Sequence, residues 1–374
     1  MSRLGMLPFT GVSATRVKER HVETWRGVED DTIDGWEFVQ VNPYEDTGGL
    51  AEGPAFARQF YKNPSHFGLF DGSVPRYSYN LKYDGSSFDF VFGIERKSAN
   101  TDLADVKEWV VGSRYPNSTL TDLHPSPDTL ETIPEIEPGD WVAGGRVHGS
   151  KNCIRPIRST NSPNDPLDED PRNAFVPAMK GKNCRTMLQV LFRPVRKSWY
   201  KMGIKNNGRK MVEDVTNYKV KKFPPRKVKV NSPNPARKHI DEQEGRPCFR
   251  VDINLLAISP NKKAAVHRAE EMGEMFSDLD NPGSKQELYL VPFNERLMRK
   301  FVSEVVRRKM QPAIIPKWPI RGPEKILTDN ELGMLISLPS RDGKYEANYS
   351  DLDYSTMAEG PGVPSTADQP DIEL

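Results

Sequence analysis

A glycine-rich stretch at residues 143–151, AGGRVHGSK, has the glycine spacing of a nucleotide phosphate loop. The order of Ser150 and Lys151 is reversed, however, which moves the ammonium one residue along the first helical turn and takes the hydroxyl off its metal-facing position. The sequence therefore predicts a glycine-rich strand or hairpin. In it, Gly144 and Gly145 allow a bulge or a close approach of another backbone.

Residues 201–239 form a strongly basic segment. It contains twelve Lys or Arg against Glu213 and Asp214, and four prolines interrupt it. Such a segment is typical of an arm that binds nucleic acid or anionic lipid, or of a solvated linker with one exposed helix. Aromatic residues, which provide stacking platforms for bases, are sparse here. The candidate nucleic-acid-binding residues are Lys219, Lys221, Lys222, Arg226, Lys227, Lys229, Arg237 and Lys238.

Candidate catalytic groups are few. Asp165, Asp168, Glu169 and Asp170 cluster in a Pro-Asn-Asp loop, where carboxylates more often form turns than act as acid and base. The three cysteines include no CxxC pair, and the six histidines lack HxxxH spacing. We therefore predict a non-enzymatic chain with no metal and no cofactor.

Size and charge limit the class of protein. A chain of 374 residues is long enough for two to three domains, and a net charge of +1 confines any affinity for nucleic acid to local patches. No apolar run approaches the length of a membrane span. We expect a reduced, cytoplasmic protein, or one that reaches a membrane only through a partner.

Hydrophobic periodicity predicts an α+β fold built from two ferredoxin-like α/β sandwich units, with helices on one face of each largely antiparallel sheet. The predicted divisions are an irregular N-terminal arm at 1–72, a first α+β domain at 73–200, a basic linker at 201–247, a second α+β domain with a C-terminal helix at 248–340, and a flexible acidic tail at 341–374.

Several elements carry their own local signals. Tyr77 begins an alternating run that turns at residues 84–87 and continues as a second strand, as in a β-hairpin. Residues 153–157 are predicted as a strand. Ser259 and Pro260 are predicted to open a helix.

Three segments in the second half of the chain carry a resemblance to a known family. They are DPRNAFVPAMKGKNCRTMLQVLFRPVRKSWYKM, then FRVDINLLAISPNKKAAVHRAEEMGEMFSDL beyond the basic segment, and finally LTDNELGMLISLPS. Together they resemble the region ahead of the motor in HerA/FtsK-superfamily DNA-translocation and conjugation ATPases of the type IV secretion kind.

In that family, a Glu-Leu-Ala-x-Leu-x-His-Leu-Pro helix leads into the motor. Glu331, Leu332, Leu335 and Leu338 match it, whereas Gly333 stands in place of Ala. Ser337 likewise replaces His. The resemblance identifies the four matching residues as a candidate partner-docking helix that begins with a capping box at Thr328. No phosphate loop follows in this sequence, so ATP hydrolysis is not expected of it.

The resemblance implies a non-catalytic accessory protein that docks on a P-loop ATPase motor carried by a separate chain. Its basic linker is expected to hold either DNA phosphates or an acidic face of the partner. The alternative is a structural, capsid-type protein of a virus or mobile element, which self-associates through its terminal arms and is found in the virion.

Overall fold

The structure is a computed structural model. It describes residues 11–33, 35–42, 53–61, 74–96, 102–112, 119–123, 132–150, 155–162, 165–167, 169–195, 218–221, 226–229, 245–310 and 325–338.

Ten of the described strands form one open sheet in which every pairing is antiparallel. They are β1 (Ala14–Arg16), β2 (Trp36–Asn42), β3 (Tyr77–Tyr83), β4 (Phe88–Glu95), β5 (Thr119–Leu123), β6 (Trp141–Gly149), β7 (Arg185–Val195), β10 (Cys248–Ser259), β11 (Leu288–Pro292) and β12 (Lys325–Thr328). The order across the sheet is β1, β6, β10, β7, β3, β4, β2, β5. In addition, β11 pairs with β6, and β12 pairs with β10. Two further strands, β8 (Tyr218–Lys221) and β9 (Arg226–Lys229), form a separate pair.

Seven α-helices accompany the strands in the described ranges. They are α1 (Glu19–Ile33), α2 (Gly53–Gln59), α3 (Leu103–Lys107), α4 (Arg172–Met179), α5 (Lys262–Glu274), α6 (Glu295–Val306) and α7 (Asp329–Ile336). A π-helical turn (Glu108–Gly112) extends α3, and a 3-10 turn (Ser277–Leu279) follows α5.

Apolar side chains on both faces of the sheet explain why helices cover both. The larger core packs residues such as Phe92 and Phe192 against α2, α3, α4, α5 and α7. Phe56 of α2, for example, meets Phe92 edge-on with ring centroids 5.5 Å apart. The second core packs Leu256 and Ile258 of β10 against α1 and α6. The antiparallel α+β prediction is confirmed, but helices lie on both faces and not on one.

The two ferredoxin-like units are not confirmed, because β10 lies between β6 and β7. All twelve residues of β10 are buried, as a central strand requires. The strands predicted for the ranges 73–200 and 248–340 thus pair within one continuous sheet. Residues 1–72 were predicted as an irregular arm with a short helix near 55–61. That helix is α2, but the described part of the range also contains β1, α1 and β2.

Three elements predicted from local signals have different outcomes in the structure. The predicted hairpin is β3 and β4, and Asp84 accepts hydrogen bonds from the backbone N–H groups of Ser86 and Ser87 in its turn. The helix predicted to open at Ser259 and Pro260 begins later, because Asn261 caps α5. The described part of 153–157, residues 155–157, contains no strand.

The glycine-rich stretch runs as strand β6 through Gly149, not as a loop that leads into a helix. A Cβ on Gly144 would lie 2.1 Å from the Leu255 carbonyl oxygen, and one on Gly145 would lie 2.1 Å from that of Val291. The predicted close backbone approach is therefore confirmed. Both flanking strands reach β6 at a distance that only glycine permits.

Candidate nucleic-acid interface

The basic segment contains a short antiparallel pair formed by β8 and β9. Its register sets Tyr218 opposite Lys229 and Lys221 opposite Arg226. The arrangement concentrates cations within two four-residue strands of a chain whose net charge is only +1.

The two ends of the basic segment lie opposite one another in the sheet. Val195, the last residue of β7, lies opposite Cys248, the first residue of β10. Residues 196–247 therefore form an excursion between two neighbouring strands, which we call the basic excursion. It was predicted as a linker between two domains; the register shows that it joins adjacent strands of one sheet.

The C-terminal root of the basic excursion is fixed by α7. The Asp329 N–H donates to the Pro247 carbonyl oxygen over 3.0 Å. Arg246 donates from Nε to Asp329 Oδ1 (3.1 Å) and from Nη2 to Asn330 Oδ1 (2.7 Å). Arg58 on α2 donates from Nε and Nη2 to Asp329 Oδ2 (2.9 and 2.7 Å). One buried carboxylate thus holds two arginines where the excursion rejoins the sheet.

A capping box holds α7 in place. The Thr328 N–H and hydroxyl donate to Glu331 Oε2 (2.7 and 2.9 Å), and the Ile157 N–H donates to Glu331 Oε1 (2.8 Å). Burial raises the pKa of Glu331 to about 7, although the hydrogen bonds from Thr328 and Ile157 favour its charged form. The predicted capping box is confirmed, and it also ties α7 to the segment near Ile157.

Helix α7 belongs to the interior. Glu331, Leu332, Leu335 and Leu338, the candidate docking residues, are each at most 1% exposed. The helix packs closely on α2, since a Cβ on Gly333 would lie 2.3 Å from the Gly53 carbonyl carbon. A partner that approaches the described surface does not meet these four side chains, so their role here is to pack the core.

A family model described as Domain of unknown function (DUF8128) matches residues 9–349. The chain belongs to this family. No curated protein matches it. The match spans the sheet, the basic excursion and α7.

The structure places the sequence-predicted cations of this DUF8128 chain in two groups. Lys219 and Lys221 lie in β8, and Arg226, Lys227 and Lys229 lie in β9. Lys222, Arg237 and Lys238 lie outside the described residues, as does the predicted acidic tail.

Sequence reasoning missed Arg58, Arg246 and Asp329. Arg58 lies 271 positions from Asp329, and no periodic or capping pattern relates two such distant residues. The only local signal was the capping box, which places Asp329 at the start of a helix.

Arg146 and Asp165 form ion pairs within the described part of the chain. Arg146 donates to Asn254 Oδ1 (3.2 Å) and Glu304 Oε2 (2.6 Å) inside the second core. Asp165, one of the loop carboxylates, accepts from Arg158 Nη2 at 2.7 Å. Across the described residues no group of three His, Cys, Asp or Glu could hold a metal ion. None of the described helices is long and apolar enough to cross a membrane.

Proposed function

We propose that this chain is a non-catalytic accessory protein whose basic excursion binds the phosphates of DNA, and that it works beside a DNA-translocating motor carried on a separate chain. The observation that carries the DNA-binding part is the register of Val195 and Cys248, because it places both ends of the basic residues 196–247 at one point of the sheet. The motor as partner rests on the resemblance to the region ahead of the motor in type IV secretion ATPases.

Phosphate contacts of this kind are sequence-independent and depend on salt. Each phosphate that a cation neutralises releases condensed counterions, so affinity falls linearly with the logarithm of salt concentration. The sparse aromatic residues of the excursion favour contacts to the backbone of a duplex over base stacking. We therefore expect similar affinity for duplexes of different sequence.

Fluorescence anisotropy of the intact chain with a labelled DNA duplex, measured across a range of salt concentrations, tests the DNA-binding part. Salt-dependent binding to two unrelated sequences supports the proposal. Absence of binding at low salt, or binding only to anionic vesicles in a parallel sedimentation assay, refutes it. The motor partner is tested separately with the purified ATPase encoded by a neighbouring reading frame. Failure of that pair to associate removes the motor from the proposal.

A structural subunit of a symmetric assembly is the second candidate function, and the free edge of the sheet favours it. Strand β5 pairs only with β2 along the described sheet, and three of its five residues are exposed. Such an edge accepts a further strand from a second copy. Light scattering of the purified chain decides: a large closed assembly formed without DNA supports the structural role, and a monomer excludes it.

A further inference from the structure

Arg58 and Arg246 share a single carboxylate. Asp329 is completely buried, with one oxygen accepting from each arginine, whereas the side chains of Arg58 and Arg246 are 59% and 29% exposed. An approaching ligand therefore meets the two guanidinium groups and not the carboxylate between them.

The charges in this cluster do not cancel. Two guanidinium groups, which remain protonated at any ordinary pH, share the Asp329 carboxylate, so these three groups carry one excess positive charge. The buried Glu331 carboxyl also lies within electrostatic range of Arg246, and because its pKa is raised to about 7 it offsets this charge only partly near neutral pH. The side-chain amide of Asn330 is neutral and binds Arg246 through Oδ1. The cluster is therefore electropositive where it is open to solvent.

Hydrogen-bond donors remain unused. Arg58 contacts Asp329 through Nε and Nη2, and Arg246 uses Nε and Nη2 on Asp329 and Asn330; among the described residues, neither Nη1 has a partner. The Asn330 Nδ2 group is also buried without a hydrogen-bond partner in the described structure. Unused donors on a fixed guanidinium suit a planar or tetrahedral oxyanion, which arginine binds through two parallel N–H groups.

We propose that Arg58 and Arg246 form a preorganised binding site for one phosphate group of the DNA backbone. This inference rests on the proposed function, and it adds a fixed contact on the folded core to the contacts of the basic excursion. The buried Asp329 carboxylate orients both guanidinium groups before the ligand arrives, so little side-chain entropy is lost on binding. Arg246 is itself the last part of the excursion, so the site lies where the excursion meets the sheet.

The salt dependence of DNA binding by the intact Arg58→Gln protein tests this site. Removal of one phosphate contact should lower the slope of log affinity against log salt by about 0.9. The matched control is Lys300→Gln on α6, since Lys300 is 75% exposed and its Nζ lies 4.0 Å from a Glu304 oxygen. The control should keep the wild-type slope. Equal slopes for Arg58→Gln and Lys300→Gln overturn the site but leave the proposed function standing, whereas absence of wild-type binding overturns both.

A second variant guards against loss of the fold. Arg246→Gln removes the other guanidinium group and leaves Arg58 paired with Asp329. A folded Arg246→Gln protein, verified by circular dichroism, should therefore also show the reduced slope. A wild-type slope in this variant would contradict the site even if Arg58→Gln does not fold.

Discussion

Cys248 lies directly opposite Val195, and this one pairing brings the two ends of the most basic part of the chain together. Because the two residues end and begin neighbouring strands, the chain leaves β7 and enters β10 at the same end of the sheet. This end also carries the Arg58, Asp329 and Arg246 cluster, since Thr328 pairs with Cys248 on the other side of β10. The cluster therefore lies where the basic excursion rejoins the sheet.

The contact between α2 and α7 predicts the effect of a Gly333→Ala substitution. The added Cβ would lie 2.3 Å from the Gly53 carbonyl carbon, so the two helices must separate. We expect the free energy of unfolding to fall by roughly 1–3 kcal/mol in urea denaturation. Gly27→Ala on α1 is the control: nothing lies within 4 Å of its added Cβ, and it should be neutral or stabilise by up to about 1 kcal/mol. Equal effects of the two substitutions would show that α2 and α7 do not pack this closely.

Glu331 predicts a component of stability that depends on pH. Its pKa in the folded chain is raised to about 7 from an ordinary value of 4.5. Between these values the folded state binds more protons than the unfolded state, so the contribution of Glu331 to stability is greatest below pH 4.5 and is lost as the pH rises to about 7. The free energy of unfolding of the wild type minus that of Glu331→Gln should therefore fall from pH 5 to pH 8. A rise over this range would show that the carboxylate is not destabilised by burial.

Arg146 should be essential for stability. Its guanidinium lies over the rings of Phe293 and Phe301, 5.3 and 5.5 Å from their centroids, and pairs with Glu304. Truncation of Arg146 to Ala removes this partner from the Glu304 carboxylate, which is 15% exposed. We expect the free energy of unfolding to fall by about 3–5 kcal/mol, measured by thermal or urea denaturation.

Lys300→Ala provides the comparison for Arg146, because Lys300 pairs with the same carboxylate from the surface. The Lys300→Ala substitution should change the free energy of unfolding by no more than about 0.5 kcal/mol. A small effect for both substitutions would mean that Arg146 adds little to the second core.

The sequence allowed prediction of elements whose signals are local. The β3–β4 turn and the Thr328 helix cap follow from residues a few positions apart. The place of β10 between β6 and β7 did not follow, because alternating apolar residues show that a strand is buried but not which strands flank it. Helix α1 was missed because charged residues surround Val22, Trp25 and Val28, which pack against α6 only in the folded chain.

Only part of the candidate site could be predicted from the sequence. The cations of the β8–β9 hairpin could be named in advance, because a run of Lys and Arg is visible in the sequence itself. The Arg58–Asp329 pair depends on the packing of α2 against α7, which the sheet brings together from opposite ends of the chain. Gly333 replaces the Ala of the Glu-Leu-Ala-x-Leu-x-His-Leu-Pro motif, and the structure gives a physical reason: the methyl group of an Ala would not fit against Gly53.

The most direct test of the account is the salt dependence of DNA binding when the hairpin cations are removed. The variant changes Lys219, Lys221, Arg226, Lys227 and Lys229 to Gln. In the control, three exposed cations on α6 are changed to Gln: Arg296, Arg299 and Lys300. We expect the slope of log affinity against log salt to be shallower by several units in the hairpin variant than in the wild type. The slope of the control should be nearly the same as that of the wild type. Identical slopes in the wild type and the hairpin variant would contradict the account.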